Sequence, residues 1–141
     1  MNIPVEYHKI ILKEFYEIQD LCKKSSSSED RLYFFSASFG VVNRVMNFYQ
    51  DPVLIFTHQI LQSVHQAISN RLANIKPPFA VSRGVPDQFW DALLGYFSEL
   101  THAFEIKNDE EIRKTLEKFA NLWYANSGNG FYLYLKGLLV L

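Results

Sequence analysis

Apolar residues recur every three or four positions through most of the chain, a spacing typical of amphipathic helices. The clearest case is residues 109–125, where three acidic residues at the start are followed by a regular apolar stripe. Acidic side chains are favourable at the positive N-terminal end of a helix. The same periodicity appears in four earlier segments. The pattern predicts five helices, over residues 4–23, 26–28 to 49, 52–75, 86–106 and 109–125.

Short polar breaks between the stripes indicate where the helices begin. Asp51 is a suitable N-cap before Pro52, and proline is well tolerated in a first helical turn. Asn108 and Glu111 have the three-residue spacing of a capping box. The serine run 25–28 offers two such spacings, Ser26 with Glu29 and Ser27 with Asp30, and the sequence does not choose between them.

The chain of 141 residues is the length of one domain. The predicted fold class is all-α: a single-domain antiparallel helical bundle of five main helices plus a C-terminal helical tail. Residues 76–86, with three prolines and a glycine, predict an irregular loop. Either a binding role or a long connection between helix ends explains its length. For the apolar tail 131–141 helix and strand both stay open, and helix is favoured because no other strand candidate exists.

The second helix is apolar almost all round, and aromatic residues are concentrated in it, in the fourth helix and in the C-terminal segment. A helix without a broad polar face is normally surrounded by other helices. Five helices around one core would leave some of this surface exposed, and exposed apolar patches mark interfaces. The sequence therefore predicts a homo-oligomer, with a dimer favoured, formed through the second helix or the tail.

Composition narrows the class of protein further. A formal net charge of −1 argues against a nucleic-acid binder. No run of about 18 apolar residues is present, so no membrane span is predicted. The single Cys22 excludes an internal disulfide framework and suits a reducing, cytoplasmic compartment. Because Cys22 falls on the apolar face of the first helix, we interpret it as a small core residue.

Charged and polar side chains also occur where apolar ones are expected. Glu14 and Arg71 lie on or beside apolar stripes, and Arg44 lies in the most apolar helix. A buried charge is costly unless it is paired, so we expect Arg44 or Arg71 to form a polar centre with Glu14 inside the bundle. Snorkelling of Arg71 to the helix end is the alternative. A weak polar stripe on the second helix predicts either the lining of a pocket, or a solvent seam or interhelical hydrogen bonds: Ser36, Gly40, Asn43, Asn47 and Gln50.

No constellation of residues predicts catalysis or metal binding. His58 and His65 are seven residues apart, about 10.5 Å along a helix, which is too far to share a metal. Glu99 and His102 have the spacing used in di-iron bundles, but the second such motif is missing. No nucleophile elbow or phosphate-binding loop is present. We therefore expect no metal or cofactor, name no catalytic residue, and leave open whether the protein is an enzyme.

Two classes of function stay open. The first, which the surplus apolar surface favours, is a non-catalytic helical bundle that self-associates or docks a protein partner. The alternative is a small-molecule binder or enzyme with a pocket between helices. Its candidate ligand-binding residues are Glu14, Ser36, Asn43, Arg44, Asn47 and Arg71.

Overall fold

A computed structural model describes residues 1–73 and 87–126 of the chain, with backbone alone at residues 28, 29, 32, 67–73, 87–91 and 123–126. These ranges contain five α-helices and no strand, so the all-α prediction is confirmed. The helices are α1 (Val5–Lys24), α2 (Ser28–Val45), α3 (Pro52–Ala73), α4 (Asp87–Glu105) and α5 (Asp109–Asn126).

The helix starts follow the capping residues in the sequence. Ser27 is the N-cap of α2 and accepts a hydrogen bond from the Asp30 backbone amide, which decides between the two serine spacings. Asp51 accepts from the Leu54 amide at 2.7 Å, so Pro52 begins α3 as predicted. The end of α2 differs from the prediction, because the helix stops at Val45 and residues 46–48 form a turn.

The helices form a closed ring in the spatial order α1, α2, α3, α5, α4. Contacts along the seams show that α1–α2, α2–α3, α4–α5 and α1–α4 each run antiparallel. In a ring of five helices the directions cannot alternate throughout, so the remaining pair, α3 and α5, is parallel. It follows that α3 ends and α4 begins at the same end of the bundle. The loop predicted over residues 76–86 lies outside the described residues.

Aromatic residues from four helices meet at the centre of the ring. The Phe97 ring of α4 makes edge contacts with Phe15 of α1 at 5.2 Å and with Phe35 of α2 at 5.1 Å between centroids. Phe35 also lies 5.6 Å from Phe119 of α5. The fifth helix, α3, adds aliphatic residues to the same core: Leu54, Ile60, Leu61 and Val64. Edge-to-face pairs of this kind add about 0.5–1.5 kcal/mol beyond the area that they bury.

Cys22 lies in this core, as the sequence predicts. It is fully buried, and burial raises the pKa of its thiol to about 11, although nearby Arg31 lowers it slightly. The thiol donates to the Arg31 carbonyl at 3.6 Å. A thiol with so high a pKa has little thiolate at neutral pH, which fits a packing role rather than a reactive one.

The predicted tail 131–141 also lies outside the described residues. Across residues 1–73 and 87–126, the structure has no helix that is both long and apolar enough to cross a membrane.

Candidate functional site

The structure separates the predicted ligand-binding residues into two groups on opposite sides of α2. Ser36 and Asn43 face α3, whereas Arg44 faces α1 and meets Glu14 there. Asn47 is exposed in the turn after α2, where its backbone amide donates to the Arg44 carbonyl. The side chain of Arg71 lies outside the described part of the chain. The described residues therefore do not converge on one pocket.

The group that faces α3 forms a ladder with two polar rungs. Ser36 contacts Nδ1 of His65, and Nε2 of His58 donates to Oδ1 of Asn43 at 3.0 Å. The Phe39 ring lies between the rungs, with its centroid 5.0 Å from each imidazole. Partners on both helices are spaced seven residues apart, as an antiparallel register requires. Of the interpretations of the polar stripe, this geometry favours interhelical hydrogen bonds for Ser36 and Asn43 over a pocket lining.

The ladder does not have the geometry of a catalytic or metal site. The two histidines bond to different partners, and no group of three or more His, Cys, Asp or Glu side chains within the described residues could hold a metal ion. Ser36 and His65 are in contact, as a nucleophile and its base would be. Ser36 is, however, buried under the helix seam. A nucleophile must be open to its substrate and its base oriented by a third group. We interpret the ladder as structural.

The second group is an ion pair between α1 and α2. Nη2 of Arg44 donates to both carboxylate oxygens of Glu14 at 2.9 Å, and Nε donates to the Gly40 carbonyl. The pairing of Glu14 with Arg44 matches the expectation, but its location does not. The Arg44 side chain is 64% exposed, so the pair lies at the surface and not inside the bundle. The physical reason is that one strip of α2, which includes Arg44, faces the solvent, although the sequence of this helix is apolar almost all round.

An open cleft of about 220 Å³ lies between α4 and α5. Glu99 and His102 lie in its wall with exposed side chains, and Glu99 pairs with Lys118 at 2.9 Å. His102 lies 3.9 Å from Glu105. Glu99 and Lys118, two of the charged groups in its wall, therefore already pair with each other. None of the predicted ligand-binding side chains that the structure describes lies in its wall.

The same side of α1 and α2 that holds the ion pair also exposes apolar residues. Phe48 is 73% exposed and Tyr33 66%, while Ile10 and Leu21 on α1 are 45% and 44% exposed. These are four of the eight large exposed hydrophobic residues in the described ranges. We call this surface the outer α1–α2 face. Its residues are Ile10, Glu14, Leu21, Tyr33, Gly40, Arg44 and Phe48.

The apolar spacing over residues 4–23 predicts one core-facing stripe on α1 that includes Ile10 and Leu21, and the exposure of these two residues corrects that prediction. Their neighbours Ile11 and Cys22 are fully buried. Consecutive residues on a helix point about 100° apart, so when Ile11 and Cys22 point to the centre of the core, Ile10 and Leu21 lie toward its edge. An adjacent apolar pair does not reveal this by itself, since Ile60 and Leu61 of α3 are both buried.

Comparison of the chain with protein-family models, curated proteins and solved structures finds no match. The assignment of function therefore depends on the outer α1–α2 face and on the geometry of its residues.

Proposed function

We propose that this protein is a self-associating helical bundle that forms a two-fold homodimer through its outer α1–α2 face. The observation that carries the proposal is the arrangement of that face, which exposes one aliphatic and one aromatic residue at each end. A surface that contacts its own copy about a two-fold axis must be complementary to itself.

The contacts between the helices establish the arrangement. Tyr7 stacks on Phe48 and Glu14 bonds to Arg44, so the α1 strip that borders α2 repeats every seven residues and continues to Leu21. Ile10 precedes Glu14 by four residues and Phe48 follows Arg44 by four. Because the helices are antiparallel, Ile10 and Phe48 lie at one end of the face. By the same register, Leu21 and Tyr33 lie at the other end.

Each end of the face thus holds one aliphatic and one aromatic side chain. A second copy rotated about an axis near Gly40 would bring Tyr33 and Leu21 of one chain onto Phe48 and Ile10 of its partner. Gly40 lies seven residues after Tyr33 and eight before Phe48, close to the midpoint. A Cβ built at Gly40 has no atom within 4 Å, so the helix surface is low and open there. Its small size allows the two α2 backbones to approach closely.

The size of the face sets the expected affinity. Tyr33 to Phe48 spans about 22 Å along α2, and two adjacent helices are about 20 Å wide. The area that these two dimensions enclose is smaller than the roughly 800 Å² that each partner buries in a stable complex. We therefore expect weak association, with a dissociation constant of about 10–100 µM. The net charge of −1 adds little repulsion between copies.

Analytical ultracentrifugation across that concentration range tests the proposal. We expect the wild-type chain to pass from monomer to dimer and Phe48→Asp to stay monomeric, because the change places a charge in the apolar contact. Ile106→Asp is the matched control, since Ile106 is also an exposed apolar residue, 53% exposed in the turn after α4 and away from the face. A wild-type chain that stays monomeric throughout, or a Phe48→Asp chain that dimerises normally, contradicts the proposal.

Two helical glycines provide a second, independent comparison. At both Gly40 and Gly95 the space that a Cβ would occupy is open, so the first carbon of a leucine side chain meets no neighbour in the monomer at either position. Leucine is favoured over glycine within a helix by roughly 0.5–1 kcal/mol, so neither change should unfold the chain. We expect Gly40→Leu to abolish dimerisation by separating the two copies and Gly95→Leu to preserve it. Equal association of the two variants would exclude close approach at Gly40.

A further inference from the structure

We draw no further inference here: the strongest candidate, the open cleft between α4 and α5, has exposed charged side chains in its wall, of which Glu99 and Lys118 already pair with each other, and nothing in the described part of the chain points to a ligand that it would take.

Discussion

The pKa of the His58 side chain, on the α2–α3 seam, is set by its surroundings. Burial lowers its pKa below the ordinary value of 6.5, because the charged imidazolium loses hydration there. Its described contacts are the Asn43 amide and the Phe39 ring, neither of which supplies a negative charge. From residue 52 to 66 on its own helix the other ionisable residue is His65, and the charged group that α5 places against α3 is the Arg113 guanidinium, over Phe56. No described carboxylate compensates for a proton on His58.

We therefore expect the free energy of unfolding to decrease as the pH falls below 6.5. The unfolded chain binds a proton at the ordinary pKa, whereas the folded chain binds it only at lower pH, so protons favour unfolding between the two values. Urea denaturation at pH 7.5 and pH 5.5 measures the effect, and His58→Gln should reduce it.

The matched control is His102→Gln, because His102 is exposed on α4 and lies outside the seam. That variant should retain the pH dependence of the wild type. If His58→Gln and His102→Gln respond to pH in the same way, burial of His58 is not the cause.

At the scale of the helices, local side-chain chemistry decides where each element begins. Asp51 accepts a hydrogen bond from the Leu54 amide at the start of α3 and another from the Tyr49 hydroxyl, both at 2.7 Å. Asn108 caps α5 in the same way through the Glu111 amide. Between α4 and α5 the chain reverses at Lys107, which has a left-handed φ of 55°. These turns need few residues, and neighbouring residues in the sequence specify them.

Removal of the α3 cap should destabilise the whole bundle. We expect Asp51→Ala to lower the free energy of unfolding by about 1–2 kcal/mol, because the Leu54 amide loses its acceptor. Asp51→Asn keeps a side-chain oxygen in place and should lose only a small part of this. Chemical denaturation of the three proteins measures the difference, and equal stability of Asp51→Ala and the wild type would show that the cap contributes nothing.

The whole molecule depends on contacts between helices that are distant in sequence. Phe97 packs against Phe15 and Phe35, which are 82 and 62 residues away, and so joins α4 to both α1 and α2. Near it, Gln19 donates to Thr101 at 2.8 Å and fixes α1 against α4 inside the core. The ring of five helices closes through such contacts.

We expect Phe97→Ala to lower the free energy of unfolding by about 3–5 kcal/mol, because it leaves a cavity where three helices meet. Phe48→Ala removes the same ring from an exposed position and should cost less than about 1 kcal/mol. Thermal and urea denaturation at concentrations where the chain is monomeric compare the two. Similar losses for both variants would contradict the central position of Phe97.

By itself the sequence determined the all-α class, the five helices and most of their caps, because periodicity and capping depend on residues within a few positions of each other. It also predicted the pairing of Glu14 with a cation. The tertiary structure decided that Arg44 is that cation, that the pair lies at the surface, and that Ser36 and Asn43 bond to histidines of α3. It also decided that Ile10 and Leu21 join Tyr33 and Phe48 on one face. These results depend on how the helices rotate and pack against one another, which no local pattern encodes.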